Sequence, residues 1–343
     1  MSVFVRRMNS PLFSVLVVCG TLLISGCNAV GRTGSGSAIG DLAFSPDGGT
    51  LVFREIKTSG AKGLGFLDLA TGERNFFSAP DGYLFQDPNY SPNGEQLVAA
   101  MYEASGNTPS GQSQIVIMDE DGGNIRELTV GPGCRNDPSF SPKGDRLLFI
   151  FSPPPEQKGG RKCQHQDIYE LDIASKQIVQ LTDFSLYSAI GPQYLPDGER
   201  FVFSGDGPKK NASPEGYIDE YGKNEIFIMG RGKNEFHPAF KTDAVSFSPS
   251  ISADNKLVYL ARTNEIDGIG GKYNYDIFLR VGDQDHRLTE LSSYIVRPVI
   301  SSDGKRVAFL MDSSRDRDGV FELMIMNSDG SGVRGLGIYG RFN

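Results

Sequence analysis

The chain has 343 residues, among them 42 glycines, 19 prolines and no tryptophan, and carries a net charge of −8. That length supports a large buried core, and the glycine and proline content marks many turns. An acidic surface repels phosphate backbones, so no nucleic-acid partner is expected.

In chain order, residues 1–26 read as a lipoprotein signal peptide. Arg6 and Arg7 precede the apolar run LFSVLVVCGTLLI, Leu12 to Ile24. The run is shorter than the roughly 20 residues that cross a bilayer, and it fits a secretory signal. LISGC, Leu23 to Cys27, resembles a bacterial lipobox, which implies cleavage before Cys27 and lipidation of that residue. Acyl chains anchor firmly, at about 0.8 kcal/mol per buried CH₂. An ordinary signal with an incidental cysteine is the alternative. Asn28 rather than Asp follows the cysteine, which favours the outer membrane, facing the periplasm. Residues 27–38 are then the lipidated cysteine and a Gly/Ser-rich flexible tether.

From residue 39 onward the chain repeats. Aligned on a tight turn, a glycine position gives Gly48, Gly94, Gly144, Gly198, Asn255 and Gly304, at gaps of 46, 50, 54, 57 and 49 residues. Two positions earlier stand Pro46, Pro92, Pro142, Pro196, Ala253 and Ser302, and an apolar column, Phe44, Tyr90, Phe140, Tyr194, Ile251 and Ile300, precedes them. Proline presets φ inside such a turn, and glycine accepts φ > 0 at its end.

Each copy reads as four short strands, A to D. Strand A carries the apolar column. Strand B is LVF at Leu51 or LLFIF at Leu147, strand C is IVIMD at Ile115 or IFLRV at Ile277, and strand D is the weaker RELT, VQLT or HRLT. Four-stranded units of about 40–50 residues stack radially as blades. The expected fold is all-β, a six-bladed β-propeller of four-stranded antiparallel blades over 39–343. Its blades fall near 39–84, 85–133, 134–186, 187–243, 244–292 and 293–340. A β-sandwich lacks this register, and solenoid coils are shorter. The Gly/Ser content of residues 30–38 argues against their pairing on a blade edge.

FSPDG, IVIMDEDGGNIRELT and SRDRDGVFELMIMNSDGSGVRGL closely resemble the repeat of TolB-type propellers, from about Ile39 to Gly337. The resemblance implies the fold rather than an activity, because such propellers occur in binding proteins and beside peptidase domains alike. TolB has a separate domain before its propeller and is soluble. Here a short tether and a lipid anchor are expected instead, which speaks against a direct Tol-system role.

The B–C loops vary most in length: 205–223, 152–166 and 262–274. They share a face with the D–A connections, and insertions gathered on one face often mark a binding surface. Neutral drift in loop length is the alternative. Candidate binding residues there are Lys158, Arg161, Lys162, His165, Lys209, Lys210, Tyr217, Tyr221 and Tyr273. Cys134 and Cys163 fall on that face in one blade, and a disulfide between them suits an oxidising compartment; two unpaired thiols are the alternative.

At the channel mouth, the residues just before the strand-A proline position (Leu42 in the first copy) include Asp41, Asp87, Asp137 and Arg297. This acidic arc with one arginine suits a cation or a basic side chain of a partner. Alternatively, each Asp bonds nearby backbone amides.

His165, His237 and His286 fall in different contexts and do not converge on a metal. H-E-x-x-H, C-x-x-C and G-x-S-x-G are all absent. DSSRDRDG, Asp312 to Gly319, lacks the spaced ligands and terminal Glu of a calcium loop. No catalytic residue, metal or cofactor is therefore expected apart from the lipid on Cys27. The sequence predicts a non-enzymatic, lipid-anchored envelope scaffold that binds a protein or peptide through the long-loop face and channel mouth. The alternative is a small-ligand- or glycan-binding propeller, lyase- or hydrolase-like, with its site in the channel.

Overall fold

A computed structural model of the chain describes residues 37–105, 108–154, 163, 165–206, 224–232, 238–240, 245–264, 274–291, 293–313 and 319–342. Among them there is no helix, and the strands form antiparallel meanders that follow the repeat. The inner strands, A, are Ala38–Phe44, Tyr83–Tyr90, Cys134–Phe140, Ala189–Tyr194, Ser246–Ile251 and Ile295–Ile300. They touch one another in sequence order, and the last touches the first.

The core lies between successive units, because strand side chains alternate faces. In the first unit's strand B, Thr50–Ile56, Leu51 and Phe53 pack on Ala308 and Leu310 of the sixth unit. Val52, between them, packs on Leu97 and Ala99 of the second. Every successive pair of units shares such a cluster. Each fully buried Leu, Val or Phe contributes about 1.5–3 kcal/mol, so no unit covers its own faces without its neighbours.

The A–B turns adopt the expected geometry. The N–H of Gly48 donates to the Ser45 carbonyl at 2.7 Å, and Gly94, Gly144, Gly198, Asn255 and Gly304 make the same bond. All six have φ between 63° and 79°. The serine that opens five of the turns is structural. Its hydroxyl accepts the N–H at the start of strand B, as at Thr50 (2.9 Å) and Arg306 (3.0 Å).

The LT of strand D is a clamp. Thr129, Thr182 and Thr289 each accept the N–H of a strand-C isoleucine, Ile115, Ile168 and Ile277, at 2.9 Å. Each hydroxyl then donates to the preceding residue's side chain, Gln114, Asp167 or Asp276, at 2.8–2.9 Å. The leucine beside each threonine packs into the hydrophobic core between units.

The fourth unit shows three strands among the described residues, with an isolated bridge from Phe227 to Pro238 where a fourth would lie. The first and last described strands pair, against the expectation for residues 30–38. Ala38 bridges Arg341 in parallel, and the Arg341 N–H donates to the Ser37 carbonyl at 2.8 Å. The outer strand of the sixth unit, Arg334–Arg341, otherwise leaves those edge groups unpaired, and backbone satisfaction outweighs the local Gly/Ser composition. This pairing joins the first and sixth units into one eight-stranded sheet.

Replacing Thr182 by Val is expected to destabilise the protein by about 1–3 kcal/mol in urea unfolding, because it strands the Ile168 N–H. Thr182→Ser, which keeps the hydroxyl, is expected to cost less than half of that.

Candidate functional site

The inner strands converge on a channel, and one residue per unit decides its shape. Asp41, Asp87, Asp137, Gly191, Ser248 and Arg297 all have positive φ, between 43° and 60°. Each lies at a break in the A–B register, a β-bulge. The bulge frees the residue's N–H from the ladder. Asp87 accepts the N–H of Asp137 at 3.1 Å, and Asp137 accepts that of Gly191 at 3.2 Å. Asp41 accepts the N–H of Asp87. Ser248 donates to the Ser204 hydroxyl at 3.2 Å.

The same three carboxylates hold one guanidinium. Arg297 lies 3.1 Å from Asp41, 3.6 Å from Asp87 and 3.4 Å from Asp137. Its side chain reaches from the sixth unit to the third, which stands opposite in ring order. Asp41 also accepts from Arg54 Nε at 3.0 Å, an ion pair with both side chains buried. The four channel-mouth residues read from the sequence are thus brought together, but the aspartates are occupied by the chain's own arginines and by amides of the next unit rather than by local backbone. Each bonds a neighbouring amide, and the cation they surround belongs to the chain itself.

The carboxyls differ in proton affinity. Burial pushes Asp41 up, but Arg297, Arg54 and the Asp87 amide outweigh it and hold it below the usual range. Burial pushes Asp87 well above that range, with the charges of Asp137 and Asp41 adding to it and Arg297 only partly offsetting them. Burial acts to lower the Arg297 pKa, and the three carboxylates more than reverse this. Tyr102 is pushed up by burial and then by Asp87, and its hydroxyl bonds Asn136.

Arg54 escaped the sequence reading. The signal was present, since a charged residue in the otherwise apolar LVFRE must find a partner once buried. Gly40 makes room for it, because a Cβ there would lie 2.3 Å from the Arg54 guanidinium.

On the long-loop face, Cys134 and Cys163 are joined by a disulfide across 29 residues of sequence. Arg135, beside Cys134, stacks on Phe151 and donates to the carbonyls of Val130 and Gly131 at 3.1 Å. His165 Nδ1 lies 2.6 Å from the Ser185 hydroxyl on the exposed surface. Cys27, Lys158, Arg161, Lys162, Lys209, Lys210, Tyr217, Tyr221, Tyr273 and His237 lie outside the described residues. Among those described, no group of three or more His, Cys, Asp or Glu side chains is placed to hold a metal ion.

The channel has two parts. A cavity of about 70 Å³ surrounds the Asp–Arg cluster. On the A–B-turn side lies a larger funnel of about 500 Å³, and Leu42, Asn89, Ser139, Gln193 and Val299 line both.

Antiparallel units stacked face to face around a channel of bulged strands define a β-propeller. No family model matches the chain. Over 108 residues, 32% of the chain, it is 32% identical to a protein described as a TolB homolog from Chlorobium luteolum, and the match spans 22% of that protein. TolB from Acinetobacter baumannii aligns with a TM-score of 0.57 at 21% identity, covering 86% of this chain and 62% of that one. An oligogalacturonate lyase in complex with manganese aligns with a TM-score of 0.56 at 13% identity, covering 87% of this chain and 77% of the lyase. The propeller is TolB-like, as the repeat text implied. The chain spans about a fifth of the curated relative and under two thirds of the Acinetobacter chain.

The two shifted carboxyls predict opposite pH dependences. Asp87, raised in the fold, contributes stability that is present below about pH 3.9 and lost as pH rises through its folded value. Asp41, lowered, contributes stability that is present above the same value and lost as pH falls through its folded value. In thermal unfolding from acid to neutral pH, Asp87→Asn is expected to abolish the decline on the alkaline side and to match or exceed the wild type at neutral pH. Asp41→Asn breaks the buried ion pair with Arg54 and the pair with Arg297 and is expected to cost about 3–5 kcal/mol at neutral pH.

Proposed function

We propose that the chain is a lipid-anchored, six-bladed propeller of the bacterial cell envelope, facing the periplasm from the outer membrane, that binds an envelope protein or peptide without catalysing a reaction. Its binding surface is the face of the B–C loops and D–A connections. One observation carries this reading: the covalent clamp on that face. The Cys134–Cys163 disulfide ties a B–C loop to an inner strand. Arg135 fixes the adjoining connection, which presents Val130 at 77% exposure. A connection and a loop end fixed before contact lose less entropy on binding, and an exposed apolar side chain on that connection suits a protein partner better than solvent.

The Asp–Arg cluster supports the platform. Its carboxylates are engaged by amides and guanidiniums, so the cluster braces the ring beneath the loops. The anchor rests on the lipobox at Cys27, and six blades on the six inter-unit cores.

Crosslinking and affinity capture from native envelopes test the reading. Wild type is expected to retain a stoichiometric protein partner that is lost when loop 205–223 is shortened and weakened at least tenfold by Cys134→Ser with Cys163→Ser. Cys27→Ser is expected to move the protein from the membrane to the soluble fraction. Absence of any protein partner with wild type overturns the scaffold reading.

A further inference from the structure

The funnel on the A–B-turn side is a second concavity, on the face opposite the loops. Its volume, about 500 Å³, falls within the roughly 300–1,000 Å³ typical of small-ligand sites. Aromatic residues of four consecutive units line it: Phe44 and Tyr90 are partly exposed, and Phe140 and Tyr194, largely buried, border it. Its floor is a ring of neutral hydrogen-bonding groups on Asn89, Ser139, Gln193 and Ser250. No charged side chain lines it among the described residues.

The wall is held rigid from outside the funnel. Arg306 stacks on Phe44 at 5.9 Å and donates to the Gly48 carbonyl at 2.6 Å, fastening the sixth unit to the first. Tyr194 is held by its hydroxyl on Glu170, which also pairs with Arg231 at 2.6 Å. The tyrosine is 5% exposed, with the Arg146 guanidinium over its ring at 5.5 Å, and borders the funnel. On the floor, Gln193 Oε1 accepts the Ile251 N–H at 3.0 Å, and the Ser250 hydroxyl accepts the Ile300 N–H at 3.2 Å. The amide nitrogen of Gln193 and the side chain of Asn89 are directed to no protein partner in the described bonds. Beyond the floor, Arg297 spans the channel.

A funnel obstructed at its far end admits the end of a chain or a small molecule. A peptide end brings an ammonium or carboxylate, and this lining offers no counter-charge to offset its desolvation. A saccharide end brings no charge. Its C–H faces stack on aromatic rings, and its hydroxyls pair with amides and serine hydroxyls. We propose that the A–B-turn funnel binds the end of an uncharged oligosaccharide. This goes beyond the protein-binding reading, which concerns the opposite face and stands or falls separately.

The test titrates the mature chain with maltotriose, cellotriose and chitotriose, with trigalacturonate as the acidic control. The chain contains no tryptophan, but Tyr90 and Tyr194 are two of its 13 tyrosines, so calorimetry supplies the deciding reading, for Ala253→Trp as for the wild type. At least one neutral trisaccharide is expected to bind at millimolar concentration or below, and more tightly than trigalacturonate. Asn89→Leu is expected to weaken it roughly tenfold, the loss of one well-placed hydrogen bond. Ala253→Trp, at the exposed rim, is expected to abolish binding with the melting temperature unchanged. Three results overturn the proposal: no binding of any neutral sugar, binding that survives Ala253→Trp, or blockable binding of a neutral proline-rich decapeptide but of no sugar.

Discussion

The ring depends on six left-handed residues at its centre, one per unit. A left-handed conformation costs a non-glycine residue about 1–2 kcal/mol, and five of the six are not glycine. The strain persists because the bulge converts a ladder N–H into a donor aimed at the neighbouring unit. From the second unit to the fourth, the acceptor for that donor is the aspartate one unit earlier. The inner strands are thereby bonded across unit boundaries, where β-ladder bonds do not reach. Hydrophobic packing between units sets which faces meet. The bulge bonds set how far each unit is inserted toward the axis.

That solution creates an electrostatic problem. Three carboxylates close enough to bond successive amides are close enough to repel one another in a buried site. Arg297 lies against all three, Arg54 adds a second cation at Asp41, and Asp87 takes up the one remaining charge by favouring its proton. The arrangement is balanced near neutrality only as a group, so its members are not independent. Removing Arg297 alone leaves three acids facing one another, whereas removing the charge of Asp87 relieves the other two.

What was legible in the sequence is what repeats. The turn, the apolar column and the LT pair recur because every unit meets the same local requirement, and each could be read by aligning the chain with itself. The position of the aspartates was legible on the same ground. Their partner was not, because the meeting of Arg297 with Asp137 is a property of the closed ring and spans 160 residues. The pairing of Ala38 with Arg341 is hidden for the same reason. The funnel was half legible: its aromatic residues were read as an apolar column of strand A, without the observation that Phe44 and Tyr90 are only partly buried and line the channel.

The two faces of the propeller are free to vary in different ways. On the A–B side, Pro46, Pro92 and Pro142 pack close to the turn glycine of the next unit, and Lys256 and Arg306 donate to the turn carbonyls of Gly304 and Gly48. Lengthening such a turn breaks contacts with a neighbour as well as its own geometry. Diversity on that side is confined to side-chain identity at fixed positions, as in the change from Phe44 and Tyr90 to Ile251 and Ile300 around one wall. The B–C loops differ in length from unit to unit, the longest spanning 205–223, and one of them is tied to an inner strand by the Cys134–Cys163 disulfide. A rigid concavity of fixed shape and a surface of variable loops therefore follow from one repeat. The first suits a small neutral ligand read by a few side chains, and the second suits a large partner read by area.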